Sequence, residues 1–212
     1  MKNIVILISG RGSNMLALLE AKLPCRIAAV ISNRDNAEGL SIAKAHDIPT
    51  AVLEHRNFVD RGSFDAALAA VIDGFQADFI VLAGFMRILT PDFVTRYPGK
   101  LINVHPSLLP AYSGLDTHAR ALKDGVKIHG CTVHFVTADL DHGPIIIQAA
   151  VPVMPNDTVQ KLAARVLNQE HRIFPQAIRW LCTDKVELTK QGEVRLKCRQ
   201  QVGPALISPD LE

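Results

Sequence analysis

The sequence predicts a single-domain α/β protein, built on a doubly wound, mainly parallel but partly mixed sheet whose N-terminal half is Rossmann-like. Three observations predict it. Short apolar runs of the kind that form buried parallel strands recur at Ile4–Ile8, Ile27–Ile31 and Phe79–Ala83, with helical periodicity between them. A glycine-containing loop, Ser9-Gly10-Arg11-Gly12-Ser13-Asn14, falls between the first run and the first helical stretch. After Pro110 the pattern becomes β-rich, with two strand candidates joined so closely that they should pair antiparallel.

The elements follow in order. Ile4–Ile8 is too short for a signal-peptide core or a membrane span and reads as a buried first strand. Asn14–Lys22, Ala37–His46 and Ser63–Gly74 are the expected helices of the first half, with a weaker strand at Thr50–Leu53. Leu101–His105 is the next strand, and Pro106 keeps His105 extended and ends it. Gly130–Val136 and Pro144–Val153 form the later strands around the turn-rich Asp139-Leu140-Asp141-His142-Gly143. Asp157 can cap a long amphipathic helix, Thr158–Leu181. Val186–Leu188 and Val194–Leu196 carry a hairpin signal, and the tail beyond Pro204 is expected to be flexible. The expected organisation is one domain over 1–183, with 1–100 as a phosphate-binding half and 101–183 as a catalytic half, then a C-terminal hairpin and tail over 184–212. The Leu109–Pro110 bond is expected trans, as most X-Pro bonds are.

Composition narrows the function classes. The 212 residues are 48% hydrophobic and 21% charged, with a formal net charge of +2. Lys and Arg are scattered, so no extended basic tract for nucleic acid is present, whereas a small anionic substrate fits. Cys25, Cys131, Cys182 and Cys198 form no CxxC pair, which points to reduced thiols in a cytoplasmic protein rather than a disulfide framework or a zinc knuckle. No segment approaches eighteen consecutive apolar residues.

Two polar groups interrupt the apolar run Leu101-Ile102-Asn103-Val104-His105 at alternate positions. A strand's period of two puts Asn103 and His105 on one face, at the carboxyl end where open α/β sheets place ligands, with Ile102 and Val104 packing behind. The glycine loop would present backbone N–H groups and a helix N-terminus to a phosphate, with Ser13 and Asn14 as added donors. It fails the dinucleotide fingerprint, since Met15 stands at the third-glycine position and no acid follows the second strand until Asp35, so a mononucleotide or sugar phosphate fits better than NAD. A tight turn without a ligand is the competing reading. Taken alone, Asp141 is an ordinary turn residue, Arg61 a surface arginine, Glu170 a solvated helix residue, and Met86 to Leu89 a strand end with core packing. His105, His129, His134 and Asp141 could in principle ligate a metal, but no HxxxH, HExxH or CxxC spacing supports it.

With these pieces assembled, the chain resembles the folate-dependent glycinamide ribonucleotide formyltransferases from about residue 3 to residue 182. The resemblance rests on Ser9 to Asn14, Leu82-Ala83-Gly84-Phe85-Met86-Arg87-Ile88-Leu89, Asn103-Val104-His105-Pro106-Ser107-Leu108-Leu109-Pro110, His129-Gly130-Cys131-Thr132-Val133-His134-Phe135-Val136 and Asp139-Leu140-Asp141-His142-Gly143-Pro144. The third and fifth segments are shared with methionyl-tRNA formyltransferases and formyltetrahydrofolate deformylases. The phosphate loop and the chain length select the ribonucleotide acceptor. Ser113 and Asp116 depart from the family pattern in the loop that follows Pro110.

The resemblance implies 10-formyltetrahydrofolate as cosubstrate and no metal. It implies His105 as the acid, Asn103 as the group that polarises the formyl oxygen, and Asp141 as the partner of His105 that organises water. It further implies that Gly12, Ser13 and Asn14 hold the ribonucleotide phosphate and that Glu170 contacts the same substrate. Met86, Arg87, Ile88 and Leu89 would receive the pterin, Arg61 would lie near the folate tail, and Asn103 and Asp141 would also touch the folate, so that the second half is folate-binding as well as catalytic. The implied partners are these two small molecules, with no nucleic acid or membrane, for a cytoplasmic monomer or homodimer. Two other classes fit the residues less fully: a hydrolase that releases formate from the same folate, and a non-catalytic nucleotide or folate sensor.

Overall fold

The structure, a computed structural model, describes residues 1–189 and 191–197. The expected flexible tail beyond Pro204 lies outside the described residues. Seven strands, β1 (Lys2–Ile8), β2 (Cys25–Ser32), β3 (Thr50–Val52), β4 (Phe79–Leu82), β5 (Leu101–His105), β6 (Ile128–Phe135) and β7 (Ile145–Pro152), form one sheet in the order β3-β2-β1-β4-β5-β6-β7. Neighbours from β3 to β5 are parallel, and β6 runs antiparallel to both β5 and β7, as the close spacing of the last two strands predicts. The strand order reverses between β1 and β4. In an open α/β sheet that reversal opens a crevice at the carboxyl ends of the two strands, and here those ends lead directly into Ser9–Asn14 and Ala83–Leu89.

The helices α1 (Ser13–Glu20), α2 (Glu38–Ala45), α3 (Arg61–Gly74), α4 (Pro91–Arg96), α5 (Thr117–Asp124) and α6 (Val159–Cys182) complete the domain. β1 explains why its run is apolar without alternation. Ile4, Ile6 and Ile8 pack into one core with Met15 and Leu18 of α1 and Phe174 and Ile178 of α6, while Val5 and Leu7 pack into another with Phe64, Leu68 and Ile72 of α3. Each such side chain, fully buried, contributes about 1.5–3 kcal/mol. A β-hairpin, β8 (Val186–Leu188) with β9 (Val194–Leu196), falls where the sequence places it, and Val186 joins the first core.

Four local features differ from expectation. Helix α4 carries its start signal, with Pro91 at its first turn and the Thr90 hydroxyl accepting the Phe93 N–H at 3.3 Å, but its six residues are too few to show an apolar period. Helix α5 buries only Thr117 and Ala121, so its sequence shows no apolar stripe. The cap of α6 is Thr158, which accepts the Lys161 N–H at 3.2 Å, and not Asp157. The Asp157 carboxylate is already committed, accepting the Met154 N–H and two bonds from Arg165 at 2.6 and 3.0 Å. Finally, Leu109–Pro110 is cis, and both sides of Leu109 are held by tertiary bonds that override the general preference: its N–H donates to Thr132 Oγ1 at 3.0 Å and its carbonyl accepts from Gln148 Nε2 at 2.9 Å.

Candidate active site

The antiparallel register of β5 and β6 builds the centre of the site. Asn103 stands opposite His134, and His105 opposite Thr132, so two strands that each carry polar residues at alternate positions face them toward one another. His105, 6% exposed, donates through Nε2–H to the Tyr112 carbonyl at 2.9 Å, which turns Nδ1 toward Asp141 Oδ2 at 3.4 Å. That contact is longer than a direct N–H···O bond of about 2.7–3.2 Å, the loose geometry expected of a catalytic pair before ligands close on it. Asp141 holds a left-handed backbone conformation, φ 55°, and its carboxylate also accepts the Gly114 N–H at 2.8 Å.

His134 completes the cluster. Burial holds its imidazole below the ordinary histidine range, so it is neutral near pH 7. Its Nδ1–H donates to the Phe135 carbonyl at 2.9 Å, leaving the Nε2 lone pair to accept from Asn103 Nδ2 at 3.3 Å. Asn103 is thereby oriented, with one N–H committed to His134 and the other available to an oxygen in the site. His134 Nε2 also lies 3.9 Å from Asp141 Oδ1, so the carboxylate sits between two imidazoles.

The glycine loop lies on the other side of the switch-point crevice. Gly12 caps α1 in a left-handed conformation, φ 79°, without a side-chain cap hydrogen bond. Its backbone is pressed against α2: a Cβ at Gly12 would stand 2.8 Å from Gly39 Cα, and the Gly39 N–H donates to the Gly10 carbonyl at 3.0 Å. Ser13 and Asn14 open α1. Asn14 Nδ2 donates to Glu170 Oε2 at 2.7 Å, while Asn14 Oδ1 is buried with no partner among the described residues. Glu170 is buried on α6, and burial raises its carboxyl above the usual range. The structure therefore joins two of the four residues that the family resemblance assigns to the ribonucleotide, a juxtaposition no spacing in the sequence reveals.

Met86 to Leu89 follow β4 at the crevice. Met86 and Ile88 are 68% and 55% exposed, large apolar side chains left open beside polar groups, while Leu89 is buried. Arg87 lies with its guanidinium 5.1 Å from the centroid of Phe64 on α3, and its Nε is buried without a partner among the described residues. Arg61 is the exposed first residue of α3, with no hydrogen bond to the other site residues. One turn on, Asp65 accepts the Thr90 N–H at 2.7 Å, which ties the start of α3 to the segment that holds Met86 to Leu89.

Of the four residues weighed as metal ligands, His129 bonds to His118 at 3.1 Å. Among the described residues no group of three or more His, Cys, Asp or Glu side chains is arranged to hold a metal ion. His134, the Tyr112 carbonyl and the Gly114 N–H are the groups that sequence reasoning did not place in the site. His134 had a usable signal, because Thr132 and His134 alternate within an apolar strand as Asn103 and His105 do. The two backbone groups had none.

A switch-point crevice flanked by a glycine loop and an Asn–His–Asp cluster marks an α/β enzyme that takes a small ligand. The formyl transferase family profile matches residues 2–178, and the chain belongs to that family. Among curated relatives, the phosphoribosylglycinamide formyltransferase of Escherichia coli is 47% identical over 190 residues, spanning 88% of this chain and 90% of that protein. The solved structure of glycinamide ribonucleotide transformylase 1 from Symbiobacterium toebii superposes with a TM-score of 0.89 at 44% identity, covering 92% of this chain and 94% of its own. A formyltetrahydrofolate deformylase from Pseudomonas syringae is more distant, with 30% identity and a TM-score of 0.84, and this chain covers 65% of it.

Proposed function

We propose that the protein transfers the formyl group of 10-formyltetrahydrofolate to the amine of glycinamide ribonucleotide, giving formylglycinamide ribonucleotide and tetrahydrofolate in purine biosynthesis. The observation that carries the reading is the convergence of Asn103, His105 and Asp141 beside a crevice with the glycine loop on one side and exposed Met86 and Ile88 on the other, in a chain nearly half identical to a named transferase. In this reading the ribonucleotide phosphate binds the N–H groups of Gly12, Ser13 and Asn14, and the Asn14–Glu170 pair meets the same substrate. The pterin lies against Met86 to Leu89, and Arg61 meets the acidic folate tail. The phosphate therefore binds the half of the chain over 1–100, and the chemistry falls to the half over 101–183.

The chemistry follows from these positions. The neutral amine attacks the formyl carbon, whose oxygen becomes an oxyanion stabilised by the free Asn103 N–H, with His105 beside it as the acid. Asp141 faces His105 and organises the water through which a proton must pass from the attacking nitrogen to the folate nitrogen before the carbon–nitrogen bond to folate breaks. The enzyme is read as a cytoplasmic monomer or homodimer that binds neither nucleic acid nor membrane; no helix of the described residues is long and apolar enough to cross a membrane.

The test is formyl transfer from 10-formyltetrahydrofolate with and without glycinamide ribonucleotide, comparing the parent protein with His105→Ala. Turnover that depends on both the acceptor and His105 is expected. Tetrahydrofolate release at equal rate without acceptor would replace the transferase with a hydrolase, and binding of the ribonucleotide without any turnover would leave a sensor.

A further inference from the structure

The two halves of the crevice are joined by one buried hydroxyl. Ser9, the first residue of the glycine loop, is 3% exposed, and Asn33, just past the end of β2, is 2% exposed. The Ser9 hydroxyl donates to Asn33 Oδ1 at 2.6 Å and accepts the Met86 N–H at 2.8 Å. A hydroxyl has one proton, so donation to Asn33 fixes its lone pairs toward Met86. Asn33 is itself held, since its carbonyl accepts from His55 Nδ1 at 2.9 Å. Met86 nevertheless exposes its side chain, as does Ile88 two residues on. The segment thus has a clamped backbone and open side chains.

We propose that Ser9, oriented by Asn33, is a positioning residue that sets the Met86–Leu89 segment against the glycine loop, and so fixes how far the formyl donor sits from the amine acceptor. The inference rests on the transferase reading above, in which those two segments hold donor and acceptor. Its physical basis is the cost of the alternative. Without the hydroxyl the part-buried Met86 N–H loses its partner, and the segment moves to recover one. Movement of that segment displaces the pterin and leaves the phosphate loop in place, because the Gly10–Gly39 bond and the Gly12–Gly39 contact hold the loop from the other side.

The experiment measures steady-state kinetics for both substrates on the parent, Ser9→Ala, Asn33→Ala and the double variant, with thermal melts of each. Ser9→Ala should raise the KM for 10-formyltetrahydrofolate about tenfold, equivalent to about 1.4 kcal/mol, while the KM for glycinamide ribonucleotide stays within about twofold. Asn33→Ala should raise the donor KM less, and the double variant should be no worse than Ser9→Ala alone, because Asn33 acts through the hydroxyl. Equal increases in both KM values, or a lowered melting temperature with an unchanged donor KM, would overturn the proposal and leave Ser9 a residue of general stability. Additive effects in the double variant would overturn the role of Asn33. If the parent itself shows no acceptor-dependent turnover, the transferase reading falls first and independently.

Discussion

The parallel and antiparallel sides of the sheet present their functional groups in different ways. On the parallel side, the Ser9–Asn14 and Met86–Leu89 segments follow the ends of β1 and β4, and offer a helix N-terminus at Gly12 and, from a backbone clamped at Met86, the open side chains of Met86 and Ile88. On the antiparallel side, Asn103, His105, Thr132 and His134 are strand residues whose positions are set by ladder register. Loops can adapt to a ligand, whereas a register cannot drift without turning every side chain to the wrong face. On the proposed reading, binding falls to the adjustable side and the acid His105 to the rigid one.

The largest effect should come from the antiparallel side, at the turn residue that faces the register-held His105. Asp141→Asn keeps the shape and an acceptor for Gly114 but removes the charge that faces His105, and turnover should fall by about 10²–10⁴ with little change in melting temperature. Equal losses of activity and stability would erase the distinction between the two sides. A smaller, differently shaped effect should follow on the loop side. Gly12→Ala places a Cβ 2.8 Å from Gly39 Cα in a left-handed conformation that costs about 1–2 kcal/mol. The KM for glycinamide ribonucleotide should rise about tenfold with kcat held within about threefold at saturation. A fall in kcat with unchanged KM would show that the loop shapes the transition state and not only the ground state.

The smallest effect is a pH dependence of stability. Burial, and then the neighbouring His118, push the His129 imidazole down to about 4 from an ordinary value of 6.5. The unfolded chain therefore takes up this proton before the folded one does, so stability present at neutral pH is lost as pH falls from about 6.5 toward about 4. Chemical denaturation across that range should show a decline that His129→Gln makes shallower. An identical decline in the variant would place the acid sensitivity elsewhere.

Much of this was legible in the residues. The unbroken apolar runs of β1 and β2 announce strands buried on both faces, and the alternate Asn103 and His105 announce a polar face at a strand end. What was not legible is contact across distance. No local rule joins Asn14 to Glu170, since the bond spans helices α1 and α6, and no pattern tells that Tyr112 and Gly114 will turn backbone groups toward His105 and Asp141. Asp157 shows the same limit on a smaller scale: it has the composition of a helix cap, but Arg165, two turns into the helix, claims its carboxylate and the cap passes to Thr158.

The contact between Gly12 and Gly39 has a consequence for inheritance. A Cβ at Gly39 would stand 3.2 Å from Gly12 Cα and 2.6 Å from Ile8 Cδ1, so a side chain at either glycine presses on the other or on the strand that carries the loop. The two positions share one volume, and a change at one alters what the other can accept. Across homologous chains they should drift together as a pair of small residues, and a chain that enlarges one should show a compensating change at position 8 or a reshaped start of α2. The first turn of α2, which carries none of the proposed site residues, is in this sense constrained by the shape of the glycine loop.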